Sequence, residues 1–367
     1  MKKSQQMSLL LALNLAVGGN VFAANANISI TGTIPIFVPN NAVLKVEGLN
    51  IAPTTKSGHY VVLERIKLSE SAYAYLKNSI HTADASRFTA SNLGLPSHVD
   101  IGMNDVPVLD QGQHGSCVTF AVTGGLDAVL GHSDYISQLC NLELGSYLEN
   151  QDSNYSSGWD GSWNYIIFDQ IQKYGIISME HQRQGVCGSA EYPINDMGDK
   201  GQPISGDVFA QYGEKIIPPL STNILLDVGN AITPKAGMDE VLQNVKQALA
   251  NGHRVVFGVL LDVNGVLAYV NGASGSYKTQ NDSWILTQRI KDDINKQNID
   301  AGHDLIIIGY DDKATIKGPK GEKHQGVLTL RNSLGEGAGN NGEYYMSYEY
   351  FKQLTLEVVE ILPAASK

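Results

Sequence analysis

Helical periodicity fills the middle of this chain and strand patterning its last third, and that order restricts the fold more than any other feature. The stretch after Cys117 to about Leu130, Trp163–Tyr174 and Met238–Ala250 read as helices. Ile166, Ile167, Ile171 and Tyr174 fall on related faces, Gly175 and Asn251-Gly252 supply stops, and Ser116 stands where a cap belongs. Arg254–Leu261, Asp304–Gly309, Gly326–Arg331, Glu343–Met346 and Glu357–Leu362 then read as strands. Helices first and strands later predict an α+β fold of two lobes.

The chain has 367 residues, more than one average domain needs. Residues 1–23 read as a signal peptide: Lys2 and Lys3 precede an apolar run from Met7 to Val17, and Val21-Phe22-Ala23 offers a cleavage pattern. The run is too short for a permanent anchor, so the expected product is exported, to the periplasm or the cell exterior. Residues 24–94 form a second unit. Ile28, Ile30, Ile34 and Ile36 alternate as in a strand, His59–Leu68 is β-rich, and a short helix from Glu70 to about Asn78 follows Ser69. His81–Asn92 is small and polar, as in a linker, and the main domain spans 95–367. The net charge is −11 and no run of lysines or arginines occurs, which argues against nucleic acid or an anionic membrane as partner.

Export makes the cysteine count informative. An odd number, Cys117, Cys140 and Cys187, leaves one thiol outside any disulfide in an oxidising compartment. Cys117 follows Gly115-Ser116 at the first turn of a helix, where unpaired N–H groups and the helix dipole favour a thiolate. That commits Cys117 to chemistry and leaves Cys140 and Cys187 to pair with each other. Gly112 and Gly115 could belong to a phosphate loop, but its lysine and following hydroxyl are missing. Of nine histidines, His303 stands out at the mouth of the apolar run Leu305–Gly309. Asn332 closes another strand within Asn332-Ser333-Leu334-Gly335.

Three segments together, Gln111-Gly-x-x-Gly-Ser-Cys117, His303 before an apolar strand ending Gly309-Tyr310, and Asn332-Ser-x-Gly335, resemble the papain-like cysteine peptidases in kind and order. The resemblance spans roughly Leu95 to Leu362. It implies a helical lobe carrying Cys117 as nucleophile, facing a β-barrel lobe that carries His303 as base and Asn332 as its orienter. By position Gln111 would complete the oxyanion hole with the Cys117 N–H. Gly161, Ser162 and Asp304 would line the substrate cleft, Asp304 at the pocket for the second side chain before the cut bond. It further implies peptide substrates, no metal or cofactor, a monomer, and removal of residues 24 to about 92 as an inhibitory propeptide. A thiolate–imidazolium couple between Cys117 and His303 is expected.

Several positions depart from the family. Val118 and Leu334 replace tryptophans, and His114 and Trp159 stand where two mutually bonded cysteines are usual. Two other functions remain open at this point. One is a different thiol enzyme such as a transglutaminase or amidase, which would use aspartate rather than Asn332. The other is a silent binding protein that keeps the cleft.

Overall fold

A computed structural model describes residues 27–39, 58–83, 94–216, 221–229, 236–263, 275–279 and 282–362. The proposed signal peptide and most of the His81–Asn92 linker lie outside the described residues.

The chain opens with a β-hairpin, β1 (Ile28–Pro39) and β2 (Gly58–Leu68), followed by α1 (Glu70–Ala83). The two strands pair antiparallel, with an irregularity between Ile30 and Gly32 that breaks the alternation read from the isoleucines. Glycine fits there because φ is +143°. A short strand β3 (His98–Asp100) leads into the helical half: α2 (Cys117–Leu130), α3 (Gln138–Gln151), α4 (Asn164–Tyr174), α5 (Met179–Arg183) and α6 (Gly206–Tyr212). The other half holds β4 (Ser221–Asp227), α7 (Ala236–Ala250), β5 (Arg254–Leu261), β6 (Ser283–Trp284) and α8 (Gln288–Asn295). It ends with β7 (Ala301–Lys317), β8 (Lys323–Arg331), β9 (Glu343–Ser347), α9 (Tyr348–Leu354) and β10 (Thr355–Leu362). The fold is α+β, as the residue patterning predicts; α2–α6 form a helical half, whereas strands β1–β3 precede it and α7, α8 and α9 alternate with strands after it, so the order is less simple than helices first and strands later.

The sheet runs β4-β10-β5-β7-β8-β9-β6, and β7 is its rail. One edge of β7 pairs with β5 at residues 301–307 and with β3 at 309–311; the strand also pairs with β8 from Ile306 onward and with β2 at Ala301 and Gly302. Through β2 the N-terminal hairpin is therefore joined to the main sheet. Its Ile36, Val61, Leu63 and Ile66 belong to the same apolar core as Phe257, Leu305 and Ile307.

Alternation along β7 sets the two cores. Leu305 and Ile307 enter the sheet-side core, whereas Ile306 and Ile308 pack with Val118, Ala121 and Val122 of α2. α2 is buried along nearly its whole length, so its apolar residues are not confined to one stripe. Gly124 and Gly125 let it approach closely. A Cβ at Gly125 would sit 3.0 Å from Ile361 Cδ1, and one at Gly124 3.3 Å from Leu109 Cδ1.

Cys140 of α3 is bonded to Cys187, with their Cα atoms 5.2 Å apart, and Cys117 is the free thiol. Among the described residues no helix is long and apolar enough to cross a membrane.

Candidate active site

Cys117 is the first residue of α2 and is fully buried. The N–H groups of Val118 and Asp304 both point to its sulfur. Ser116 occupies the cap position but does not cap with its side chain; its Oγ is 2.9 Å from the Tyr192 hydroxyl instead. The expectation of a side-chain cap is corrected on that point.

His303 and Asn332 meet where β7 begins and β8 ends. The register that sets Ile306 opposite Arg331 carries the next residue, Asn332, beside the start of β7. His303 Nε2 lies 2.8 Å from Asn332 Oδ1, and both side chains are buried. With Nε2 held by an acceptor, the ring's proton belongs there and Nδ1 carries the lone pair. Nδ1 has no hydrogen-bond partner among the described residues. Burial lowers the His303 pKa to about 4 despite the Asn332 bond, so the ring is neutral.

Gln111 is buried and bonded at both ends. Its Oε1 accepts from Ser333 Oγ at 2.8 Å, which fixes the orientation of the amide. Its Nε2 donates to the carbonyl of Val62 at 2.9 Å and to that of His114 at 3.1 Å. Val62 belongs to β2 and also donates its N–H to Gly112 O at 3.2 Å. An extended peptide from the chain's own N-terminal hairpin thus lies across the cleft.

Two residues further along β2, Glu64 turns its side chain to the thiol. Its carboxyl takes a hydrogen bond from Cys117 and another from the Ser162 N–H at 3.0 Å. Ile30 and Glu64 press on Gly161 so closely that a Cβ there would come within 2.9 Å of Ile30 Cγ2 and 3.1 Å of Glu64 Cγ. Beyond Gly161 a groove of about 420 Å³ continues between β1 and the helical half, lined by Ile30, Ser156, Trp163 and Tyr165.

Asp304 follows His303 and points to the helical side. Asn164 Nδ2 donates to its Oδ2 at 2.7 Å and also to Glu357 Oε2 at 3.0 Å, so a single amide serves two buried carboxyls. Gly258 stands opposite Asp304 in the β5–β7 register, and a Cβ there would sit 3.0 Å from Asp304 Oδ1. Burial raises Asp304 to about 7 and Glu357 to about 8, and it raises Glu64 well above the ordinary carboxyl range.

The thiol responds to the same surroundings. Burial, then Glu64 and Asp304, push Cys117 well above the usual cysteine value. With a neutral imidazole and a neutral thiol, the expected thiolate–imidazolium couple is absent in this arrangement, and that expectation is corrected. The helix N-terminus favours the anion, but a dry site flanked by two carboxyls outweighs it.

Cys117 Sγ and one oxygen each of Glu64 and Asp304 lie within 4.8 Å of one another. Such spacing could accommodate a cation, yet the thiol, Ser162 and Asn164 already satisfy the carboxyls. The site therefore brings Cys117, Gln111, Gly161, Ser162, His303, Asp304 and Asn332 to one cleft. His114 and Trp159 touch edge to face with centroids 4.7 Å apart. Leu334, two residues after Asn332, is buried.

Glu64, Asn164, Gly258 and Glu357 were not legible as site residues. The one hint for Glu64 was an acid directly after the apolar run Val61–Leu63 and separated by one residue from Ile66.

Neither a protein-family model nor a curated protein sequence matches the chain. Solved structures similar to it are cysteine proteases. Xylellain, from Xylella fastidiosa, is 18% identical, with 76% of this chain and 91% of that one covered and a TM-score of 0.45. Digestive procathepsin L 3 of the Tenebrio molitor larval midgut is 20% identical over 75% of this chain and 73% of that one, TM-score 0.45. The proform of the ragweed pollen allergen Amb a 11 is 18% identical over 80% and 77%, TM-score 0.44.

Proposed function

We propose that this chain is an exported cysteine peptidase, with Cys117 as nucleophile, His303 as base and Asn332 as orienter, made in a closed form. The observation that carries the reading is a peptide carbonyl, that of Val62, held by the Gln111 amide beside Cys117. A cleft that binds an extended backbone next to a helix-terminal thiol suits attack on a peptide bond. Thiolate attack on the scissile carbonyl would place its oxygen between Gln111 Nε2 and the Cys117 N–H. The amine leaves with a proton from His303, and water then releases the thioester. Asn332 keeps the imidazole in the tautomer whose Nδ1 can take and return that proton.

Residues 24–94 act as the inhibitory element in this reading, since their strand β2 occupies the cleft. Gly161 and Ser162 offer backbone to the substrate. The Cys140–Cys187 bond supports an oxidising destination, as the signal-like residues 1–23 do. A monomer without nucleic-acid or membrane partners completes the proposal.

The neutral thiol and imidazole favour one alternative, a silent protein that uses the cleft only for binding. Incubating the protein with a peptide library, before and after removal of residues 24–94, decides between them by mass spectrometry. Cleavage that disappears in Cys117→Ala and His303→Ala supports the peptidase. No cleavage in either form supports the silent protein.

A further inference from the structure

Cys117 Sγ, a carboxyl oxygen of Glu64 and one of Asp304 lie within 4.8 Å of one another, brought together from α2, β2 and β7. All three side chains are buried. Among the described residues no lysine or arginine pairs with either carboxyl. Their partners are neutral: the Ser162 N–H and the Cys117 thiol on Glu64, and the Asn164 amide on Asp304. Around them acceptors are in surplus. Ser162 Oγ, Asn164 Oδ1 and His303 Nδ1 have no hydrogen-bond partner among the described residues, although these three residues are at most 1% exposed. Ser162 gives its N–H to Glu64, so its unpaired hydroxyl lies beside that carboxyl; the unpaired Asn164 oxygen belongs to the amide that bonds Asp304. Buried acceptors short of donors, next to two carboxyls and a thiol, are what a cation satisfies.

We propose that Glu64, Cys117 and Asp304 form a zinc site that ties the N-terminal hairpin to α2 and β7. The donor set selects the metal: a thiolate with two carboxylates suits zinc, whereas magnesium and calcium take oxygen ligands. Zinc holds sulfur at about 2.3 Å and carboxylate oxygen at about 2.1 Å, which sets tetrahedral donors roughly 3.5 Å apart. Side-chain rotation alone closes a spread of at most 4.8 Å to that value. The Ser162 hydroxyl is at hand for the fourth position. In the metal-free form the thiol proton serves Glu64, and the cation takes its place. The S–H bond breaks, its proton and any on the two carboxyls pass to solvent, and the Zn–S bond forms. Nothing is oxidised or reduced.

The supports of such a site are in place. Ligating carboxylates are oriented by hydrogen bonds from outside the ligand set. Here the Ser162 N–H holds Glu64 at 3.0 Å and Asn164 Nδ2 holds Asp304 at 2.7 Å. Two glycines make room for the carboxyls: a Cβ on Gly161 would come within 3.1 Å of Glu64 Cγ, and one on Gly258 within 3.0 Å of Asp304 Oδ1. The groove of about 420 Å³ lined by Gly161 offers a route in from solvent. β2 keeps its pairing with Ala301 and Gly302, and Val61, Leu63 and Ile66 stay in the core, so the backbone need not move. Two positive charges offset two of the three anionic ligands, which relieves the cost of burying them together.

The site stands apart from the peptidase reading, and its test needs no catalysis. Co²⁺, as a spectroscopic substitute for zinc, is titrated into the full chain. Cys117 is the free thiol, so a thiolate-to-cobalt charge-transfer band in the near ultraviolet reports that one sulfur. One equivalent should produce this band together with the visible bands of tetrahedral cobalt, and Zn²⁺ should abolish both. Cys117→Ala should lose the charge-transfer band. Glu64→Gln and Asp304→Asn should each weaken Co²⁺ binding by at least about tenfold, the scale on which even outer-shell partners act. Zn²⁺ should also raise the urea midpoint of the wild type and leave that of Cys117→Ala unchanged. Circular dichroism without metal shows whether each variant has folded, and if one carboxyl variant has not, the other decides. No charge-transfer band at saturating Co²⁺, or an affinity in the carboxyl variants equal to that of the wild type, overturns the site. A chain that passes and cleaves no peptide keeps the zinc site and loses the peptidase reading; one that cleaves peptides and shows no band does the reverse.

Discussion

The Val62 carbonyl accepts from Gln111 Nε2 at 2.9 Å, the donor proposed for the oxygen of a reacting peptide. That bond turns the amide into a donor already in use. Once residues 24–94 are removed, Gln111→Ala should lower kcat by about 10²–10³-fold with little change in KM, because the donor acts most strongly on developing negative charge. Steady-state kinetics on both forms check this. An unchanged kcat would leave Gln111 as a structural amide held by Ser333.

The thiol and the imidazole give a second expectation, in pH. Cys117 is raised by burial, Glu64 and Asp304, so its neutral form dominates until pH exceeds the ordinary thiol range. His303, lowered to about 4, stays neutral above pH 5 and gives no positive charge to offset it. Iodoacetamide should therefore label the intact chain slowly at pH 7. With β2 gone, water and a free His303 Nδ1 reach the sulfur, and labelling at pH 7 should rise by about 30-fold or more. That ratio separates an ordinary thiol's few per cent of thiolate from full ionisation. A rate that does not respond to removal of the hairpin argues for the silent protein.

The sheet half was the more legible part. Arg254–Leu261 is a strand with those same bounds because a run of apolar residues, three of them valine, covered on both faces leaves little choice. The placement of Cys117, His303 and Asn332 was legible because each carries a local constraint: a helix start, a strand mouth and a strand end. α3 was missed for a physical reason. Gln138, Asn141 and Glu143 are buried beside Leu139, Leu142 and Leu144, so no polar face marks the helix. Its sign was Ser137, whose side chain caps Cys140 N at 2.9 Å. Glu64 escaped because its role depends on β2 pairing with Ala301 and Gly302, more than 200 residues away. No local pattern specifies that register. The charge state of Cys117 was misread for the same reason: the helix end is local, and the carboxyls that oppose it come from β2 and β7.

The Cys140–Cys187 bond closes a separation of 47 residues across α3 and the turn after α5. In the chain-entropy model a loop of that size stabilises by about 4 kcal/mol, though native strain reduces such values. Cys140→Ala with Cys187→Ala should lower the denaturation midpoint without changing the labelling of Cys117. Urea unfolding and iodoacetamide labelling of the double variant check the two, and an equal midpoint would make the bond incidental. A free Cys140 in non-reducing peptide maps would remove its premise.

Asp304 carries the last expectation, which concerns the substrate. Its carboxyl shares the Asn164 amide with Glu357, and Gly258 leaves room for it where any side chain would crowd Oδ1. In the closed form Glu64 faces it; in the open form that place is free for a substrate side chain. A lysine or arginine there would neutralise a buried charge, whereas leucine would leave it with half an amide as compensation. The preference for a basic side chain two positions before the cut bond should therefore exceed that for leucine by about tenfold or more in kcat/KM. Burial sets the pH course as well. An acid raised to about 7 gains its charge as pH rises through that value, so the ratio of arginine to leucine substrates should grow between pH 6 and pH 8. Asp304→Ala should flatten both the preference and its pH course while matched substrates continue to be cleaved. If the ratio in Asp304→Ala equals that of the wild type at pH 8, the Asn164 bond is the whole role of Asp304 and the substrate is read elsewhere.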